Sequence, residues 1–230
     1  MCLALALTGC STTHRPRTVG SSPSAGATAG SFYTLASTEI ERQAIAAMKK
    51  VRNFRAQVTV QEKHRVLQID VRRANSGVCF GHVTEGSETI AIIGTRDYTF
   101  IRASARYWRR NGSHDVVEEM SVRPSRWARF DDTEAGDLCN ISALLDKIEL
   151  DKKTLGSLKA KAPTMFGEFS AVDLGNTEDS INVVINADSP HYILKIADFE
   201  DIMLLSDFDV PANVKVPSKF VPFTEHSVNV

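Results

Sequence analysis

The sequence predicts an α+β fold in which a curved antiparallel half-barrel sheet carries helices on its concave face. Two runs of short segments alternate apolar and polar residues, which is typical of half-buried antiparallel strands. A segment with helical periodicity separates the two runs, and another helix precedes them. Because a single sheet must bury its apolar face against something, we expect the helices to cover that face.

The length, charge balance and apolar content of the chain limit the classes of function that it can have. The chain has 230 residues, with 27 Lys and Arg against 28 Asp and Glu. Its length favours one or two domains. The balanced charge argues against a nucleic-acid partner. No stretch approaches the roughly 18 to 20 apolar residues that a membrane-spanning helix needs.

The N-terminus carries a processing signal. A short apolar run ends in Leu7-Thr8-Gly9-Cys10 and is followed by polar residues. It resembles the end of a bacterial lipoprotein signal peptide, in which small residues admit the peptidase and the cysteine thiol accepts diacylglycerol. The run is short and lacks a basic start, so we expect translation to begin upstream of Met1. The alternative is an apolar N-terminus that arose by chance.

Three regions are predicted along the chain. Residues 1–10 are the remnant of a signal peptide that ends at Cys10. Residues 11–36 are a flexible linker rich in Ser, Gly, Ala and Pro, because such a composition buries too little apolar surface to order itself. Its reach is about 25 to 30 Å. Residues 37–230 form a single domain.

The domain begins with a helix, for which Thr38 to Glu41 is predicted as a capping box. Five strands of a meander follow, separated by Gly, Asn and Asp turns. They are predicted at Phe54 to Gln61, Leu67 to Arg72, Val78 to Val83, Thr89 to Ile93 and Tyr98 to Arg102.

The middle of the chain changes period. Helical patterns are predicted at His114 to Met120, Ile141 to Ile148 and Asp151 to Lys161, with a short strand at Arg126 to Phe130 between the first two. Strands return at Phe166 to Leu174, Ile181 to Ile185, Tyr192 to Ala197 and Ile202 to Asp207. The proline-containing stretch Val214 to Val221 is predicted as an edge strand or an extended tail.

Two cysteines remain in the body of the chain, Cys79 and Cys139. In an exported domain two thiols can pair as a disulfide. Each can equally serve as a small buried hydrophobic residue. Both alternatives stay open at this stage.

The order of these elements resembles the LppX/LprG lipoproteins of mycobacteria, which share the LolA-like fold. The resemblance covers nearly the whole chain and is carried by the lipobox, the linker and a few segments. These are Asp97 to Ile101, Tyr107-Trp108, Arg126 to Phe130, Ser189 to Ile196 and Leu205 to Val214. The chain departs from the family at Pro190-His191-Tyr192 and at the closing aromatic Phe208. The resemblance implies an open half-barrel that binds lipids or lipidated molecules in the cell envelope.

A lipid cavity needs contiguous apolar side chains. The alternating strands supply thirteen candidates, which a solid core would explain equally well. They are Val58, Val60, Leu67, Ile69, Val71, Phe80, Ile90, Ile92, Phe100, Val183, Ile185, Leu194 and Ile196.

The segment from Arg102 to Arg129 is rich in arginine and aromatic residues. Arg109, Arg110 and Trp108 are candidates for contact with an anionic lipid headgroup or a membrane surface. The alternative is a solvated loop with a short helix.

The sequence contains no HExxH, CxxC or Gly-x-Ser-x-Gly motif, so no catalytic residue, metal or cofactor is predicted. We therefore expect a lipid-anchored protein on the extracytoplasmic face of the cell membrane. Its partners would be a lipid or lipidated ligand and possible envelope transporters. Two alternatives stay open: an envelope assembly protein with a filled core, and a hydrolase that uses Ser113 or His114.

Overall fold

A computed structural model describes residues 29–62, 65–74, 76–131, 159–160, 162–175, 181–198 and 201–223. The predicted anchor Cys10 and the predicted helix Ile141 to Ile148 lie outside these residues. None of the helices in the described ranges is long and apolar enough to cross a bilayer.

The described strands form one sheet of 13 strands. The first half of the chain contributes β1 Phe54–Glu62, β2 Arg65–Arg73, β3 Cys79–Glu85, β4 Glu88–Gly94, β5 Thr99–Arg102 and β6 Trp127–Phe130. The second half contributes β7 Lys159–Ala160, β8 Thr164–Phe166, β9 Phe169–Gly175, β10 Asn182–Asn186, β11 Ile193–Asp198, β12 Asp201–Ser206 and β13 Phe220–Phe223. The two predicted meanders are thus present.

The two meanders join side by side. The strand order is β13-β6-β5-β4-β3-β2-β1-β12-β11-β10-β9-β7, with β8 paired to β9. The pairs are antiparallel except for β13, which runs parallel to β6. The result is a large, open, curved and mostly antiparallel sheet. Such long-range pairing places β1, near the start of the domain, against β12, near its end.

One row of paired residues shows how the sheet builds its core. Cα partners run across eight strands through Leu205, Ala56, Val71, Gly81, Ile92, Ile101, Ala128 and Val221. Because side chains alternate between faces, all of these positions point to the same side. Glycine is required in the middle of the row, since a Cβ on Gly81 would lie 2.0 Å from the carbonyl oxygen of Asp70.

Four helices are described: α1 Ala29–Phe32, α2 Ser37–Met48, α3 Ala105–Asn111 and α4 His114–Val122. Their buried side chains belong to the same cluster as the row above, so this face of the sheet is called the helix side and the other the opposite face. In α2, Ile40, Ala44 and Met48 recur at helical spacing and are buried there.

The predicted capping box of α2 is wrong. The N-cap is Ala36, which is extended and makes no side-chain capping bond. The helix thus begins one residue before Thr38, and Glu39 accepts hydrogen bonds from Arg42 and Gln43. These bonds, that from Arg42 above all, lower the pKa of Glu39 to about 2.

Helix α3 was not predicted as a separate element. Ser104 caps it by accepting a hydrogen bond from the Tyr107 backbone at 3.0 Å. Tyr107 and Trp108 are both buried. Helix α4 follows at once and confirms the helix predicted at His114 to Met120.

Two boundaries differ from the prediction. Ordered structure extends into the predicted linker, because α1 begins at Ala29 and Phe32 is buried in the core. The third predicted helix, Asp151 to Lys161, is wrong at its end, since Lys159–Ala160 pairs with β9 as a strand. Long-range pairing overrides the local helical pattern there.

The segment 207–219 joins β12 to β13. These strands are seven positions apart in the sheet, about 34 Å, so the segment must cross most of it. It starts beside the beginning of β1. There Asn53 donates to the Val210 carbonyl at 3.3 Å and Asp207 pairs with Arg72 at 2.9 Å. It ends in β13, which lies at the edge and contains Pro222, as predicted for this stretch.

Candidate functional site

A half-buried apolar row lies on the helix side of the sheet, one step beyond the core row. Cross-strand partners run through Ile196, Met203, Val58, Ile69 and Val83, from β11 to β3. Strand spacing makes this row about 19 Å long. These side chains are half-buried, whereas those of the core row beside them are mostly buried. The row therefore offers a continuous apolar surface at the edge of the core.

Val60 and Leu67 extend the apolar row toward the end of the strands. They pair with one another, and Leu67 also pairs with Glu85 on β3. Both side chains remain half-buried. The apolar row, together with these two residues, forms the candidate ligand surface.

Some of the predicted cavity residues fill the core instead. They are Val71, Ile90, Ile92, Val183 and Ile185, all of them buried in the central cluster. Leu194 lies in β11 at the shift in register between β10 and β11. It is buried but is not a member of the central cluster. Val183 pairs with Ile196 and Ile90 pairs with Val83, so buried core residues flank the apolar row at both of its ends.

Phe80 and Phe100 were assigned to the cavity and lie on the opposite face. Phe80 pairs with Ile93, which pairs with Phe100. Their chain neighbours Cys79 and Ile101 point to the helix side. Phe100 and Ile101 are adjacent apolar residues and both are buried, so alternation in the sequence does not reveal which of the two faces the helix side.

Sequence reasoning missed Val83 and Met203 as members of the apolar row. Both were placed within predicted strands but were not assigned to a face. Pairing of Met203 with Val58 brings them together only because β12 returns to β1 from a distant part of the chain. The alternation within each strand was the available signal.

A charged rim borders the candidate surface. Glu85 and Glu88 end β3 and begin β4 on the helix side, facing α3. Arg110 pairs with Glu85 at 2.7 Å, and Arg106 lies 3.6 Å from Glu88. Arg65 lies 3.8 Å from Glu85. Three arginines thus face two carboxylates at the rim.

The three residues predicted to contact a headgroup do not lie on one surface in the structure. Arg109 and Arg110 are exposed on α3, and Arg110 belongs to the rim. Trp108 is fully buried between Tyr107 and Phe130, so it cannot meet a headgroup in this conformation. A seven-residue helix must bury one side against the sheet, and Trp108 lies on that side.

The opposite face carries a partly covered depression of about 440 Å³. It is lined by Phe80, Ile93, Trp127 and Val214, together with charged residues. Among these, Arg55 forms a two-pronged ion pair with Asp70, with its Nε donating at 2.8 Å. The hydrogen bond from Arg55 lowers the pKa of the Asp70 carboxyl and raises that of Arg55.

Cys79 is buried and disulfide-bonded. Its predicted partner Cys139 lies outside the described residues, so that pairing stays a prediction.

The described residues assemble little that suggests catalysis. Ser113 precedes α4, and His114 is exposed at its first position, 3.7 Å from Asp115. Within the described ranges, no group of three or more His, Cys, Asp or Glu side chains could hold a metal ion.

Sequence comparisons find no matching family model and no matching curated protein. Solved structures do match. LprF from Mycobacterium bovis aligns with a TM-score of 0.54 at 12% identity, over 80% of this chain and 97% of LprF. The Mycobacterium tuberculosis lipoprotein LppX aligns with a TM-score of 0.47 at 14% identity, over 78% of this chain and 98% of LppX.

The likeness to LprF agrees with the architecture described above, a large open curved sheet with helices packed on one side. It also agrees with the resemblance seen in the sequence, which placed the chain beside the LppX/LprG lipoproteins. The chain has the fold of LprF.

Proposed function

We propose that this protein is a membrane-anchored lipoprotein of the cell envelope that binds a lipid or lipidated ligand on the helix side of its sheet. It would carry or present that ligand at the extracytoplasmic face. The observation that carries the proposal is the half-buried apolar row from Ile196 to Val83, in a chain with the fold of LprF.

The apolar row suits an acyl chain for a simple physical reason. Removing apolar surface from water stabilises a complex by about 0.8 kcal/mol per CH₂ group. A row of about 19 Å offers contact to many such groups at once. Shape and apolar area would therefore supply most of the affinity without any covalent step.

The charged rim suits the polar end of such a ligand. Arg106 and Arg110 lie where the strands β3 and β4 meet, beyond Val83 and Leu67. Arginine pairs with phosphate through two parallel hydrogen bonds. We propose that an anionic headgroup binds there, with exposed Arg109 beside it.

The anchor belongs to the same proposal. The lipobox Leu7-Thr8-Gly9-Cys10 would place a lipid on Cys10. The residues between Cys10 and α1 would then hold the domain within reach of the membrane that supplies its ligand. An envelope transporter is a further proposed partner.

Native mass spectrometry of the purified full chain tests ligand binding. The chain would carry Cys10→Ser, so that any bound lipid is non-covalent. We expect a reproducible adduct with the mass of one lipid, which disappears on extraction with organic solvent. A ligand-free mass that stays unchanged after incubation with phospholipid would exclude the carrier and favour an assembly protein with a filled core.

A further inference from the structure

The hairpin formed by β8 and β9 exposes large apolar side chains at its tip. Met165 is 63% exposed and Phe169 is 43% exposed. Met165 pairs with Ser170, whereas Phe169 pairs with Phe166, so Met165 and Phe169 point to different faces of the hairpin. Exposure on both faces means that the tip projects beyond the body of the sheet.

The register shows at which end of the molecule this tip lies. Ala171, just after the tip, pairs with Asn186 at the end of β10. The Ala187 backbone donates to the Ser170 carbonyl at 2.8 Å. The tip is therefore beside the loop that connects β10 to β11.

The N-terminal helix meets the same loop. The Phe32 ring stacks on His191, whose Nδ1 lies 3.2 Å from the Asn186 carbonyl oxygen. Helix α1 thus lies two strands, about 10 Å, from the hairpin. The candidate ligand surface opens at the other end of the strands, toward Val60 and Leu67.

We infer that the hairpin tip, through Met165 and Phe169, inserts into the surface of the bilayer to which the chain is anchored. The inference rests on the proposed anchor at Cys10, since the exit of residue 29 beside the tip brings that end toward the membrane. Apolar side chains at a projecting tip bind the headgroup boundary by burying their area there.

Charge makes a small contribution to this docking. The exposed charges at the same end are three cations before β1 and three carboxylates around them, namely Lys49, Lys50 and Arg52 with Glu168, Asp188 and Asp209. The two signs balance, so docking would depend on the apolar tip more than on anionic lipid. With this end on the membrane, the ligand surface opens away from the bilayer, so the docked state would present an already bound ligand to a receiving partner.

Vesicle co-sedimentation tests the inference on the full chain with Cys10→Ser, which removes the anchor. The vesicles would contain phosphatidylcholine alone or mixed with phosphatidylglycerol. We expect Met165→Ser with Phe169→Ser to weaken binding to both by about tenfold. Val122→Ser is the matched control, because Val122 is 73% exposed but lies before β6 at the other end of the strands.

Thermal unfolding would confirm that the variants remain folded. A second readout is Met165→Trp, whose fluorescence should shift to the blue and be quenched by brominated lipid, while that of Val122→Trp stays unchanged. Equal binding by the hairpin variant and the unsubstituted chain, or equal loss in Val122→Ser, would overturn the inference. Lipid carriage measured by mass spectrometry is expected to be unaffected, so failure of the docking inference and failure of the proposed function are distinguishable.

Discussion

Phe32 stacks face to face on His191, with ring centroids 3.9 Å apart and planes 9° from parallel. This contact attaches the N-terminal helix to the loop before β11. It also defines the end of the sheet at which α1 lies. Because Phe32 is only 3% exposed, α1 is part of the domain rather than of the linker.

Phe32→Ala should therefore destabilise the whole domain. Removing a buried aromatic ring leaves a cavity and costs about 3 kcal/mol. Urea denaturation would measure the loss in free energy of unfolding. Val216→Ala serves as the control, since Val216 is exposed in the crossing segment and should change stability little. A loss below about 1 kcal/mol for Phe32→Ala would show that α1 is dispensable.

Val58→Asn should reduce the amount of bound lipid by about tenfold, because an unpaired amide against an acyl chain costs over 1 kcal/mol. Val58 is central in the apolar row, between Ile69 and Met203. Thr59→Asn is the matched control, since the next residue of β1 points to the opposite face. Quantitative lipid extraction measures the effect. Equal lipid loss in both variants would show that the row is not the binding surface.

Arg109→Ala with Arg110→Ala should lower the preference for anionic over zwitterionic lipid by about thirtyfold, because each of the two arginines near a phosphate contributes on the order of 1 kcal/mol. Lipid competition followed by mass spectrometry measures that preference. Arg123→Ala is the control, since Arg123 pairs with Glu119 on α4, away from the rim. An unchanged preference in the double variant would support the solvated-loop alternative for this segment.

Asp70→Asn should remove part of the acid sensitivity of the fold. The hydrogen bond from Arg55 lowers the pKa of Asp70 from its ordinary value of 3.8. A lowered folded-state pKa gives stability that is complete above that ordinary value and is lost as pH falls through the folded-state pKa. The difference in Tm between the two proteins should thus be constant at neutral pH and shrink below about pH 4. A difference that is the same at every pH would contradict the role of this ion pair.

Cys139→Ser should lower the free energy of unfolding by about 2 to 5 kcal/mol if Cys139 is the partner of disulfide-bonded Cys79. Peptide mapping without reductant would identify the pair directly. Cys10→Ser is the control and should leave the free energy of unfolding unchanged. A map that links Cys79 to any other cysteine would show the predicted pairing to be wrong.

Much of the fold was predictable because patterns of neighbouring residues in the sequence indicate strands, edges and helices. Alternation along β1 and β2 revealed both strands, and prolines marked β13 as an edge. The start of α2 was misplaced at Thr38, because Thr38 and Glu41 have the spacing of a capping box, whereas the residue that adopts the extended N-cap backbone is Ala36. Helix α3 was not predicted, because its seven residues are too few to show a clear helical periodicity of apolar residues.

The candidate site was predictable only in part. Val58 and Ile69 lie on the helix side, where the cavity was predicted, whereas Phe80 and Phe100 lie on the opposite face. Trp108 looked available for a headgroup because arginines surround it in the chain, yet it is buried against Phe130.

The amino-acid sequence alone specified the strands, the turns and the presence of an apolar and a polar face on each alternating strand, since a period of two is a local property of the backbone. Which face the helices cover, how deeply they bury it and where the half-buried row ends depended on pairing between distant segments. Contacts such as β1 with β12 and Phe32 with His191 join residues more than a hundred positions apart. Those contacts place α1 at the end of the strands opposite the one where the apolar row opens, an arrangement that tertiary packing alone decides.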